Sequence, residues 1–84
     1  MNEELFRSIC TAKLIEWYEQ NAVAIRQEDT YTVWACKTLQ NNKCMMSTTV
    51  HDGLYFEFTF NGDKSELYMD VYRKKENIPF KISC

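Results

Sequence analysis

Leu54-Tyr55-Phe56-Glu57-Phe58-Thr59-Phe60 alternates large apolar residues with mostly polar ones and stops at Asn61-Gly62. A period of two is the signature of a β-strand with one buried face, so Leu54, Phe56, Phe58 and Phe60 are expected to form an apolar wall. Tyr55, Glu57 and Thr59 then project from the opposite side. A chain carrying this strand has to supply neighbours for its backbone and a cover for its wall.

The remaining chain is short. With 84 residues it has room for one domain, and 45% hydrophobic residues with only two glycines and one proline mark it as a folding chain rather than a disordered one. Twelve acidic against ten basic side chains give a formal charge of −2, which singles out neither a nucleic-acid partner nor a polyanion mimic. The opening Met1-Asn2-Glu3-Glu4-Leu5 lacks the pattern of a secretory signal, and no stretch approaches a membrane span. Cys10, Cys36, Cys44 and Cys84 form no Cys-x-x-Cys pair. They are expected to be reduced in a cytoplasmic setting, with Cys10, Cys36 and Cys44 as packing residues and Cys84 in an exposed tail.

Asn2 is placed to cap a helix running to about Asn21, with Glu3 and Glu4 at its positive end. Phe6, Cys10, Leu14 and Trp17 form one apolar stripe, and Leu5, Ile9 and Ala12 form a second. Ile15 and Tyr18 lie outside both, so either the loop at Ala22 to Ile25 folds over them or the helix meets a partner. Thr30 to Leu39 reads as a first strand and Cys44 to Val50 as a second, joined by a turn at Asn41-Asn42. That register sets Leu39 opposite Cys44 and Cys36 opposite Ser47, with Cys36 and Cys44 on different faces. Asp52-Gly53 signals the next turn. After Asn61-Gly62-Asp63-Lys64, Leu67, Met69 and Val71 alternate with Tyr68, Asp70 and Tyr72 in a fourth strand. A four-residue loop there pairs Phe58 with Leu67 and Phe56 with Met69, and a two-residue loop changes the partners without changing the faces. Ile78-Pro79-Phe80-Lys81-Ile82 alternates again, with Pro79 confining it to a short fifth edge strand or an extended tail. The expected fold is α+β: one N-terminal helix on a four-stranded antiparallel meander.

The run from Tyr31 through Trp34-Ala35-Cys36-Lys37-Thr38-Leu39-Gln40-Asn41-Asn42-Lys43, then Ser47-Thr48-Thr49-Val50, Tyr55, Asn61-Gly62-Asp63-Lys64, Tyr68, Asp70 and Tyr72-Arg73-Lys74, resembles a family of small proteins encoded by phages and prophages of Gram-positive bacteria. The resemblance spans about residues 28 to 77. It implies a phage accessory protein acting in the host cytoplasm and supplies no catalytic residue or ligand.

The residues themselves offer little chemistry. His51 is the single histidine, and its neighbour Asp52 would point away from it in a strand or turn; a nucleophile would have to come from Ser47 or Cys44. No set of residues has zinc-ligand spacing, no glycine-rich loop is present, and no cofactor is implied. The sheet face opposite the wall is more informative. It is expected to carry Tyr55, Glu57, Tyr68, Asp70 and Tyr72, joined by Val33, Lys37, Met46 and Val50 if the Asp52-Gly53 turn has two residues. Tyrosines among a few charges suit a binding surface, although cross-strand tyrosines also stabilise an ordinary exposed sheet. The leading expectation is a non-enzymatic protein that binds and inhibits or redirects a host protein through Tyr55, Glu57, Tyr68, Asp70, Tyr72 and Lys37. An anti-defence, anti-CRISPR-like inhibitor is one such case, with homodimerisation left open. Capture of a nucleotide-type ligand or single-stranded nucleic acid on the same face ranks second, disfavoured by Glu57 and Asp70. A small enzyme using His51 ranks third.

Overall fold

The computed structural model describes residues 1–39 and 41–83, and Gln40 and Cys84 lie outside that description. Helix α1 (Glu3–Gln20) leads through a 3-10 turn (Gln27–Asp29) into β1 (Thr30–Thr38), β2 (Asn41–Thr48), β3 (Leu54–Asn61) and β4 (Glu66–Arg73). The strands lie in the order β1-β2-β3-β4, each antiparallel to the next. This is the expected α+β meander. Residues 74–83 form no strand, so the fifth edge strand is not made within the chain.

The Asn2 side chain accepts the Leu5 N–H at 2.7 Å and starts the helix where the sequence places its cap. The buried stripe is Phe6, Cys10, Leu14 and Tyr18, a strict four-residue spacing that drifts slowly around the helix. Tyr18, expected outside the stripes, is thus part of the core, and Trp17 packs edge-on beside it against Phe56. Ile25 is buried in the same cluster, and Ile15 packs against that cluster. The loop therefore folds back, as one of the two alternatives required. The second stripe stays largely outside, with Leu5 and Ala12 exposed.

Beneath the helix lie Cys44 and Met46 from β2 and Phe56 and Phe58 from β3. In register, Cys44 faces Phe58 and Met46 faces Phe56. On β4, Phe60 meets Leu67, Phe58 meets Met69 and Phe56 meets Val71, across a loop of Gly62 to Ser65. These partners differ by two positions from those expected for a four-residue loop. The loop begins one residue later, and the core face is unchanged because an even shift preserves parity. Cys10 and Cys44 are both fully buried between helix and sheet, where a hydrogen bond to Cys44 and loss of water push the Cys10 thiol above the usual range. Cys36, expected as a packing residue, is instead exposed.

Three further expectations are corrected. The first hairpin closes with Thr38 opposite Asn41, so Cys36 faces Lys43 and Ala35 faces Cys44. Asn41 and Asn42 are strand residues, not the turn. The expected register would have drawn Val50 and His51 into the ladder, but that segment is needed as loop. Second, the β2–β3 connection covers residues 49 to 53 rather than a two-residue turn. Asp52 organises it. One carboxylate oxygen accepts the Leu54 N–H at 3.1 Å and the other accepts the Tyr18 phenol at 2.6 Å. The odd loop length reverses the expected parity, placing Met46 and, through the Lys37–Asn42 pair opposite Phe60, Lys37 on the helix side. Third, a bulge at Val33 interrupts β1, with Thr32 opposite Met46 and Trp34 opposite Met45.

Replacing Phe58 with Ala should cost about 3–5 kcal/mol in urea unfolding, because its fully buried ring fills the centre of this cluster. Tyr18→Phe should cost about 1.5–3 kcal/mol by leaving the Asp52 carboxylate without its phenol donor. The Tyr18 phenol is pushed up to about 12 by burial and by its hydrogen bond to Asp52. Its stabilising effect is therefore complete below pH 10 and is lost as pH rises to about 12. The alkaline fall in unfolding midpoint should be shallower in Tyr18→Phe than in wild type. Asn42 is 1% exposed and neither amide atom has a hydrogen-bond partner among the described residues. Asn42→Val should accordingly raise stability by about 1–3 kcal/mol, read as a higher urea midpoint.

Candidate partner-binding face

One helix covers one face of the sheet, which leaves the other open. Register alone identifies what that open face carries. Trp34 lies opposite Met45, Met45 opposite Glu57 and Glu57 opposite Asp70, a row that crosses all four strands. Beside it runs Cys36, Lys43, Thr59 and Tyr68. Tyr31 faces Ser47 on one half of the sheet, and Tyr55 faces Tyr72 on the other. Tyr31, Trp34, Tyr68 and Tyr72 are 48%, 38%, 43% and 49% exposed, so their rings are offered to solvent rather than spent on the core.

Tyr55, Glu57, Tyr68, Asp70 and Tyr72 share this face. Lys37 does not, and Met46 is buried beneath the helix. Sequence reasoning missed Tyr31 and Trp34. Simple alternation sends residues three apart to opposite faces, but the bulge at Val33 adds a residue between them and returns both to the same side. Nothing in the local sequence marks that bulge, since Val33 is an ordinary strand residue.

The polar groups among the rings are already organised. Lys43 Nζ lies 3.8 Å from Glu57 Oε2, and the Tyr72 phenol donates to Glu57 Oε1 at 3.4 Å. The Tyr68 phenol donates to Glu66. The nearby Glu57 charge raises the Tyr72 pKa, and the hydrogen bond to Glu66 raises that of Tyr68, so both remain neutral donors at physiological pH. Glu57, Glu66 and Asp70 outweigh Lys43, giving the face an acidic character. Tyr31, Ser47, His51, Tyr55 and Lys74 line a cleft of about 420 Å³ at its loop end.

The residues considered for catalysis are not joined into one site, although Ser47 and His51 line the same cleft. His51 is exposed, Asp52 is engaged by Tyr18 and Leu54, and the Ser47 hydroxyl donates to the Leu54 carbonyl at 2.8 Å. Cys44 sits in the core against Cys10. Among the described residues no cluster of His, Cys, Asp or Glu is arranged to hold a metal ion, and no helix is long and apolar enough to cross a membrane.

Comparison with curated proteins and with solved structures finds no match. A family profile matches residues 7–82, which takes in the helix beyond its first turn, all four strands and the apolar segment after β4. The chain thus belongs to DUF6275, a family of unknown function.

Proposed function

We propose that this protein is a non-enzymatic binding module that docks its open sheet face onto a partner protein. In the setting implied by the sequence resemblance, it is a phage accessory factor that inhibits or redirects a host protein in the bacterial cytoplasm, anti-defence inhibition being one form of that role. The observation that carries the reading is the grouping of Tyr31, Trp34, Met45, Tyr55, Tyr68 and Tyr72 on one uncovered face, brought about in part by a bulge. Large aromatic side chains and methionine are the residues enriched at interface centres, and their grouping on one uncovered face is the pattern of an interaction site. Glu57, Glu66 and Asp70 around the rings favour a partner with basic groups beside an apolar patch.

Ligand capture remains the second reading, favoured by the cleft that Tyr31, Tyr55, His51 and Lys74 line. The cationic side chains available to hold phosphates are few. Lys43 is bound to Glu57, Arg73 donates to the Asp52 carbonyl, and Lys37 lies on the helix side.

The test uses tagged protein in a bacterial extract, with identified binders titrated against purified variants. Trp34→Ala, Tyr68→Ala and Tyr72→Ala should each weaken partner binding by about 2 kcal/mol, roughly thirty-fold, with unfolding midpoints nearly unchanged. Lys37→Ala should leave affinity intact. Equal effects of Lys37→Ala and Trp34→Ala would sink the assignment of the face. Recovery of a nucleotide or nucleic acid with steeply salt-dependent affinity would put the second reading first.

A further inference from the structure

The segment after β4 is apolar where it should not be. Ile78, Phe80 and Ile82 are 57%, 78% and 77% exposed, although their alternation in Ile78-Pro79-Phe80-Lys81-Ile82 is that of a strand with one buried face. The segment stands off the body. The Cα radius of gyration is 14.6 Å, against about 12 Å for a compact chain of this length. The family match includes it through Ile82.

A matching surface lies on the helix side of β4. Trp17, Phe58, Leu67 and Met69, with Lys13, Glu16 and Gln20 at the rim, line a groove of about 210 Å³, and Val71 continues its apolar floor with 41% exposure. Among the described residues β4 pairs only with β3, so its outer edge has unpaired backbone groups, an invitation to an added strand. Laid antiparallel on that edge, Ile78, Phe80 and Ile82 reach Val71, Met69 and Leu67 in turn. Lys81 then falls opposite Tyr68, between Glu66 and Asp70, where its charge is complemented. Pro79, which has no N–H to donate, is tolerated because the added strand is outermost.

The chain is poorly built to make this contact with itself. The same register within one molecule leaves only Lys74-Lys75 for a two-residue turn, whose favoured types demand positive φ at the first position or at both. Neither lysine has it; the positive-φ residues among those described are Ala22, Leu39, Gly53 and Ser65. Lys74 instead continues β4 in line, its N–H donating to the Gly53 carbonyl at 2.7 Å. A single five-residue strand also falls short of the roughly 1,200–2,000 Å² buried in a stable interface, while mutual exchange about a two-fold axis doubles what one strand buries. We propose that two copies of this chain form a homodimer by exchanging residues 78–82, each seated against β4 and the Trp17–Met69 groove of the other. Both open aromatic faces stay uncovered in such a dimer, each gaining the other copy's Lys81 beside Tyr68 at its β4 edge.

Sedimentation of the full chain should give twice the chain mass, and the chain stopped after Asn77 should sediment as a monomer with an unchanged circular dichroism spectrum. In a background with Cys36 and Cys84 replaced by Ser, Met69→Cys with Phe80→Cys should give a disulfide between chains on oxidation. A full chain that stays monomeric across the concentration range, or an intrachain bond in that double variant, overturns the proposal. So does a dimer that survives removal of residues 78–82.

Discussion

A four-stranded open sheet has two faces, and a single helix of five turns can hide only one of them. The seating of Phe6, Cys10, Leu14 and Tyr18 on Cys44, Met46, Phe56 and Phe58 therefore determines everything else about the surface. Residues that share parity with this wall are core, and the rest are presented to whatever the protein meets. Burial of these side chains supplies the main stabilisation, since fully burying each large apolar one contributes about 1.5–3 kcal/mol. The ion pairs on the helix surface, such as Arg7 with Glu3 and Lys13 with Glu16, are exposed and add little.

Parity between strands depends on the connections, and the β2–β3 loop is the decisive one. Its five residues are held by Asp52, which binds the first N–H of β3 with one oxygen and the phenol of Tyr18 with the other. A single side chain thus ties the end of the helix to the start of the central strand. Because the carboxylate is charged and Tyr18 is nearly sealed from water, this hydrogen bond is stronger than a neutral one between exposed groups. Both oxygens of that carboxylate are turned to Tyr18 and Leu54, and among the described residues no hydrogen bond joins it to His51, so the histidine-based reading gains no support from its sequence neighbour.

The element boundaries were largely legible because they rest on local physics. The Asn2 cap, the two-residue alternation of Leu54 to Phe60 and Leu67 to Val71, and the turn residues at Asn61-Gly62 act through neighbours in the chain. Five members of the proposed face, Tyr55, Glu57, Tyr68, Asp70 and Tyr72, were legible for the same reason, since they lie within one hairpin whose faces survive any even shift. Lys37, Tyr31 and Trp34 were not. Their side depends on the length of a loop and on a bulge, each a matter of one residue more or less, and one residue reverses a strand's faces.

What the amino-acid order decides here is therefore the set of elements, their succession and the apolar wall that needs a cover. Those follow from periodicities and capping groups that act over a few residues. Which side of the sheet each outer strand shows, where Tyr18 and Asp52 meet, and that Ile78, Phe80 and Ile82 find no cover within their own chain emerge only when the strands are assembled. Those outcomes belong to contacts between distant segments, where small differences in loop length and register outweigh any local preference.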